Sequence, residues 1–282
     1  MEANGTIALT PENYGFIERY IHEATGITLG QDKNYLLESR LMPVLEEERL
    51  GSLNELCTRL RKGVPESLRR RIAECMTTHE TLFFRDPRVF DVLRTDLLPE
   101  LAKDRQATRT LRVWSAACSS GQEPYSLAML LLEAGYADWK IEILGTDLSS
   151  RILARATEGR YLQIEINRGM PAPLLVKYFQ RAGLDWQVRD ELRRIVRFAP
   201  FDLRQSMGPL GTFDLVLCRN VLIYFDQEAR AKILAGLRDT LSPGGFLLLG
   251  ASESMYNMEA GFVRRTSGQT VAYQRTAAGV RL

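Results

Sequence analysis

The sequence predicts an α/β protein, an open and mainly parallel sheet covered by helices, preceded by a small all-α domain. Two observations carry this. Over residues 1–76 apolar residues recur at spacings of three and four, the period of amphipathic helices. From about residue 110 short apolar runs alternate with helical stretches, the pattern of strands joined by crossover helices. The expected division is 1–76 for the helical domain and 77–282 for the α/β domain.

In the first domain, "NYGFIERYIHEATG" places Phe16, Ile17, Tyr20 and Ile21 on one face, with Gly26 as the stop. "NYLLESRLMPVLEEERLG" repeats the pattern with Leu37, Leu41, Val44 and Leu45. "SLNELCTRLRKG" follows, with Ser52 and Glu55 spaced as a capping box. "PESLRRRIAECM" closes the set, with Pro65 near its first turn.

In the second domain the strands are expected in "LRVWSA" (Leu111–Ala116), "IEILGTD" (Ile141–Asp147), "IVRF" (Ile195–Phe198), "FDLVLCRN" (Phe213–Asn220) and "GFLLLG" (Gly245–Gly250). "DQEARAKILAGLRDTL" reads as a helix with Asp226 at its N-cap and Ile233, Leu234, Leu237 and Leu241 as its buried stripe. The final "FVRRTSGQTVAYQR" reads as a hairpin turning at Ser267-Gly268. The stretch Gly159–Arg194 exceeds the ~2–6 residues of a plain βα connection. It is expected to be an insert, with a helix over Pro171–Arg181 and a turn at Ala182-Gly183.

Composition narrows the function. Hydrophobic residues make up 45% of 282, enough for a sizeable core, and the formal net charge of +2 does not mark a nucleic-acid binder. The four cysteines are scattered without a Cys-x-x-Cys pair, which fits free thiols in a reducing compartment and argues against a zinc site. The start "MEANGTIALTPENYG" has no basic segment followed by an apolar run. No stretch approaches the ~20 apolar residues of a membrane span. A cytoplasmic protein with no membrane insertion is expected.

In an open α/β sheet ligands bind at the carboxyl ends of the strands. The expected ends carry Ser115–Glu123, Asp147, Asp202 and Asn220. Asp147 stands 26 residues after Gly121, against ~20 for a dinucleotide fingerprint, and suits the ribose hydroxyls of a nucleoside. "SAACSSGQEPYS" has no Gly-x-Gly and no lysine, and it places Glu123 where a phosphate site would want bare N–H groups. Glu123 repels phosphate and attracts an ammonium. A nucleoside without phosphates and with a cationic amino-acid tail is S-adenosylmethionine. On this reading Glu123 takes the amino group and N–H groups near Gly121 take the carboxylate. Asp202 accepts the adenine amino group beside Leu203, and Asn220 touches the tail. In "THETLFFRD", Phe83 reads as core, and Arg85 as a guanidinium able to hold a carboxylate with two parallel hydrogen bonds.

Together "TTHETLFFRD", "SAACSSGQEPYS", "CRNVLIYF" and "SGQTVAY" resemble the chemotaxis receptor glutamate methyltransferases, the CheR family. The resemblance runs over nearly the whole chain. It implies a helical N-terminal domain and a Rossmann-like class I methyltransferase domain with an inserted antiparallel subdomain at about 159–194. It also implies methyl transfer from S-adenosylmethionine to glutamates on chemoreceptor cytoplasmic helices, with S-adenosylhomocysteine as product and no metal. By motif position it places cofactor contacts on His79, Thr81, Arg85, Glu123, Asp147, Asp202, Leu203, Asn220 and Val221, and puts Tyr224 near the methyl group. His79 and Asp202 stand where asparagine occurs in other members.

Arg85 and Tyr224 are the expected catalytic pair. A carboxylate nucleophile is already ionised at neutral pH, so positioning and exclusion of water, not base catalysis, are what the site must supply. Between Cys57 and Cys75, Arg59, Arg61, Lys62, Arg69, Arg70 and Arg71 form a basic stretch that would steer toward acidic receptor helices. The hairpin in "QRAGLDWQVRDEL" is short, so docking through a receptor C-terminal peptide tether is not expected. A nucleic-acid base methyltransferase would carry an Asn/Asp-Pro-Pro-Tyr motif where this chain reads "RNVLIYF". A cofactor-sensing module without catalysis would share the fold but would not need Arg85 and Tyr224.

Overall fold

Four helices form the first unit in the computed structural model, which describes residues 9–28, 34–255 and 261–276. They are α1 (Pro11–Thr25), α2 (Asn34–Glu47), α3 (Leu53–Arg61) and α4 (Glu66–Met76). The apolar stripes meet as their spacing requires. Ile17, Ile21, Leu37, Leu41, Val44, Leu56, Leu68 and Ile72 are all buried in one cluster. Each such side chain contributes about 1.5–3 kcal/mol of burial. Gly26 ends α1 in the left-handed conformation (φ 74°), its N–H donating to the His22 carbonyl at 2.7 Å. The capping box at α3 is only half formed. Ser52 accepts from the Glu55 N–H at 3.3 Å, but the Glu55 carboxylate accepts from Gly51 N–H instead. Pro65 sits one residue ahead of α4, at its N-cap. Tyr224–Asp226 group with this unit through a β-bridge between Ile27 and Phe225.

The second unit, His79–Ile223 with the chain from Gln227, is built on a seven-stranded sheet. Its strands are β1 (Thr110–Ala116) and β2 (Lys140–Asp147). After the insert's β3 (Arg160–Tyr161), β4 (Phe179–Ala182) and β5 (Asp185–Val188) come β6 (Val196–Pro200), β7 (Phe213–Cys218), β8 (Leu241–Leu249), β9 (Phe262–Ser267) and β10 (Thr270–Arg275). The order across the sheet is β6-β2-β1-β7-β8-β10-β9. The first five are parallel, β10 runs antiparallel to β8, and β9 runs antiparallel to β10. The order reverses beside β1, so the carboxyl ends of β1, β2 and β7 converge at a switch point.

Helices α5 (Pro87–Val92) and α6 (Leu98–Asp104) precede β1 and were not legible in the sequence. A π-turn over Leu93–Leu97 joins them, just ahead of Pro99. Proline's ring cannot pack against the carbonyl four residues back, and the widened turn accommodates it. Then come α7 (Gln122–Glu133), α8 (Ser150–Glu158), α9 (Gln163–Ile166), α10 (Ala172–Tyr178), α11 (Asp190–Ile195) and α12 (Gln227–Thr240).

Three strands of the insert form a separate antiparallel sheet in the order β3-β5-β4. The helix expected over Pro171–Arg181 stops at Tyr178, because Phe179 begins β4. Phe179 is buried edge-on against Phe83 at 5.6 Å, so aromatic packing overrides the helical continuation. The end of the insert forms α11, which takes in Ile195, expected as the first residue of the "IVRF" strand, so that β6 begins at Val196. Leu241, expected at the end of α12's stripe, is instead the first residue of β8 and fully buried. Among the described residues no helix is long and apolar enough to cross a membrane.

Candidate functional site

The loop after β1 is shaped by backbone geometry. Ala117 (φ 57°), Ser119 (φ 52°) and Gly121 (φ 92°) all adopt left-handed conformations within five residues. A Cβ at Gly121 would lie 3.0 Å from Ala156 Cβ and 3.1 Å from the Phe198 ring. Both conformation and space therefore demand glycine there. Gly121's own N–H donates to the Cys118 carbonyl at 3.1 Å, so it serves the turn itself.

Asp147 ends β2 and is 7% exposed. One of its oxygens accepts from Ser119 N–H at 2.9 Å and the other from Ser149 N–H at 3.0 Å. Each oxygen keeps a lone-pair direction for a further donor, which fits a ribose diol. Ser119 Oγ donates to the His79 carbonyl at 2.9 Å, bringing the start of this unit to the same loop.

Glu123, in the first turn of α7, is not a free anion. Its Oε1 accepts from Ser115 Oγ at 2.7 Å and its Oε2 from Arg219 Nη1 at 2.8 Å. Arg219 follows β7, and its side chain is only 2% exposed. Its Nη2 reaches the Arg85 carbonyl at 2.9 Å and Asp86 Oδ2 at 2.6 Å, while its Nε is buried without a partner among the described residues. One guanidinium thus ties β7, the head of α7 and the Phe84–Asp86 loop together. That loop needs the tie, since Phe84 (φ 49°) and Asp86 (φ 60°) are both left-handed. Phe84 N–H adds a second anchor on Ser126 Oγ at 3.0 Å. Glu123 thus already carries a buried counter-charge in Arg219.

Arg85 itself is half-buried and donates to the Glu80 carbonyl at 3.1 Å. Among the described residues its guanidinium meets no carboxylate. Asp202 follows β6 and is held by Arg204, whose Nη2 donates at 2.6 Å and whose backbone N–H donates at 2.9 Å. Leu203 is 7% exposed and borders a cavity with Met207 and Gly236. Thr81 is half-buried. Tyr224 lies in the 3-10 turn Leu222–Tyr224 and groups with the first unit, where its carbonyl accepts from Thr28 N–H at 3.2 Å.

Sequence reasoning missed Glu253. Its carboxylate accepts four backbone N–H groups, from Asn220 (2.7 Å), Val221 (2.9 Å), Leu222 (2.7 Å) and Gly250 (2.7 Å). This cradle fixes Asn220 in its left-handed conformation (φ 59°). A Cβ on Gly250 would fall 2.6 Å from Glu253 Oε2 and 2.9 Å from Asn220 N, so only glycine lets the two segments meet. Three buried thiols are not candidates for chemistry. Burial drives Cys118 and Cys218 well above the ordinary thiol range and raises Cys57 to about 11.

Two family models match in succession. "CheR methyltransferase, all-alpha domain" covers residues 12–77, and "CheR methyltransferase, SAM binding domain" covers residues 79–271. The chain belongs to the CheR methyltransferase family. Curated relatives agree in length and sequence. Chemotaxis protein methyltransferase 1 of Pseudomonas aeruginosa is 43% identical over 247 residues, 85% of this chain and 89% of the relative. Chemotaxis protein methyltransferase Cher2 of Pseudomonas putida is 42% identical over 242 residues, 84% and 88%. Chemotaxis protein methyltransferase 1 of Vibrio cholerae is 40% identical over 255 residues, 88% and 91%. This CheR-family chain is a SAM-dependent methyltransferase, and the Asp147 and Glu123 carboxylates lie within its SAM-binding domain.

Proposed function

We propose that this enzyme methylates glutamate side-chain carboxylates on the cytoplasmic domains of chemoreceptors, giving glutamate methyl esters and S-adenosylhomocysteine for sensory adaptation. On this reading the reaction takes place in the cytoplasm. The observation that carries the reading is the succession of both family domains over residues 12–77 and 79–271, with chemotaxis methyltransferases as relatives over most of their length.

The residues proposed to hold the cofactor are His79, Thr81, Arg85, Glu123, Asp147, Asp202, Leu203, Asn220 and Val221. S-adenosylmethionine supplies a methyl group already activated on a cationic sulfur. The acceptor carboxylate, with an ordinary pKa of about 4.3, is ionised at neutral pH and needs no general base. The work left for the chain is alignment and removal of water. Arg85 suits the first task, since a guanidinium without a carboxylate partner can take one in a fixed plane. Tyr224 keeps the role the family resemblance gives it, beside the transferred methyl. Receptor engagement is proposed to run through the basic surface of the helical domain, without a C-terminal peptide tether.

The test is methyl transfer from labelled S-adenosylmethionine to receptor-containing membranes, with the label recovered as methanol after base treatment. Base-labile methanol marks a carboxyl ester. Stable label, or no label, overturns the reading.

A further inference from the structure

A cavity of about 650 Å³ opens at the carboxyl edge of the sheet, beyond the end of β8 and the start of β10. Asp86, Arg88, Leu249, Glu253, Arg264 and Thr270 are among its walls. It adjoins the Phe84–Asp86 loop on one side and the Glu253 cradle on the other. Both are parts of the candidate site, yet the cavity lies over the β8–β10–β9 half of the sheet. The acids proposed for the cofactor end β2 and follow β1 and β6.

The charges in its walls are unequal in availability. Asp86 is bound to Arg219 at 2.6 Å. Glu253 is saturated by four N–H groups. Both anions are thus engaged by groups of the protein itself, although the Asp86 side chain is 42% exposed. Arg88 and Arg264 are exposed, and among the described residues neither side chain has an ion pair or hydrogen bond. Their neighbour Arg265 differs, being held by Glu100 and Gln274. Arg88 is also the second residue of a helix, where the helix dipole disfavours a cation. Its charge does nothing for that helix. A charge on the edge strand β9 deters sheet pairing, but this does not explain why Arg264 faces the same cavity as Arg88.

We infer that this cavity binds the substrate segment flanking the acceptor glutamate, and that Arg88 and Arg264 select acidic residues there. The inference rests on the proposed receptor-methylating function and adds to it where the flanks sit and which chemistry they need. Two unpaired cations beside anions that are already engaged leave the cavity with cations available to an acidic segment. That arrangement governs encounter with and selection of a charged partner rather than the rate of the chemical step.

The test uses the full chain and a chemoreceptor cytoplasmic fragment, with initial rates of methyl ester formation and calorimetric binding of S-adenosylhomocysteine. The pair Arg88→Glu/Arg264→Glu is expected to raise KM for the receptor about tenfold or more, with kcat and S-adenosylhomocysteine affinity within about twofold of the parent. Arg88→Lys/Arg264→Lys keeps the charge and is expected to keep the parent KM. A receptor fragment whose acidic flanking residues are changed to glutamine should raise the parent's KM and leave the Glu pair's unchanged. Equal KM values for parent and Glu pair, with product binding intact, overturn the inference but not the function. A parent that forms no methyl ester on any receptor overturns the function, and the inference with it.

Discussion

Arg219 and Glu123 meet at 2.8 Å, 96 residues apart in sequence, with side chains 2% and 12% exposed. The pair joins the end of β7 to the head of α7 in the interior of the α/β unit. Removing one partner of a buried pair leaves an uncompensated charge and costs about 3–5 kcal/mol. Arg219→Met should therefore lower the melting temperature by about 10 °C for a domain of this size. The double variant Glu123→Gln/Arg219→Met should recover much of that loss, because no buried charge is then left alone. It should not recover S-adenosylhomocysteine binding if Glu123 holds the ligand's amino group. Calorimetry on the two singles and the double measures both outcomes, and additive destabilisation would show that the pair is not coupled.

Glu253 acts on the same strand end from the other side. Glu253→Gln puts an amide donor where four N–H groups converge. Each lost charge-assisted bond is worth roughly 1.5–3 kcal/mol, offset in part by the remaining amide oxygen. The loop over Asn220–Leu222 should loosen, with weaker cofactor binding and a lower turnover. Amide hydrogen exchange at Asn220, Val221 and Leu222 gives a direct reading. Unchanged protection there would refute the cradle's role.

The architecture was legible because its signals are local. Leu37, Leu41, Val44 and Leu45 announce α2 by spacing alone, and all four are buried. Gly121 and Asp147 stand at strand ends that periodicity already located. Arg219 and Glu253 were not legible, since their meaning lies in partners 96 and 33 residues away. The local signal for Arg219 was a cation directly after "FDLVLC", a run apolar but for Asp214, where β7 is buried throughout. The boundary at Phe179 failed for a similar reason, because its strand is set by contact with Phe83 rather than by the preceding helical pattern.

Arg85 has no carboxylate partner among the described residues, so its removal leaves no buried charge behind. Arg85→Ala should weaken S-adenosylhomocysteine binding only by the one contact proposed for it, because Glu123 and Asp147 keep the rest of the cofactor site. Turnover on the receptor should fall by about 100-fold, the scale expected when a reacting group loses its alignment. Arg85→Lys should recover only part, since an ammonium cannot make the paired, planar contact. Product-binding calorimetry and single-turnover rates separate the two effects, and an unaltered rate would remove Arg85 from the mechanism.

The basic stretch of the helical domain divides once its partners are known. Arg71 is bound by Glu47 and Glu48, Arg59 by Glu48 at 2.9 Å, and Arg61 by Asn13 at 2.7 Å while stacking over Phe16. Among the described residues the side chains of Lys62, Arg69 and Arg70 are exposed and held by no hydrogen bond or ion pair. Arg69→Glu/Arg70→Glu should slow receptor methylation, more so at low salt, without a change in cofactor affinity or melting temperature. Arg71→Glu should instead destabilise the helical domain, since it sets a third acid against Glu47 and Glu48. Equal receptor rates for the Arg69/Arg70 pair and the parent would make these residues an ordinary solvated face.

Alkaline pH should unfold the protein through its thiols. Cys118 and Cys218 are fully buried, and burial holds both well above the ordinary value of 9.0. Cys57 is raised to about 11 by the same cause. In the unfolded chain each thiol loses its proton near pH 9, while the folded chain keeps it. The unfolded state therefore binds fewer protons above pH 9, and stability falls as pH rises. The contribution is complete below pH 9 and declines above it, by up to about 1.4 kcal/mol per pH unit for each fully buried thiol. Urea titrations between pH 8 and 11 should show this slope. Cys218→Ala should reduce it by about one thiol's share, and a variant with the parent's full slope would assign the effect to Tyr125 and Tyr161, which burial also raises.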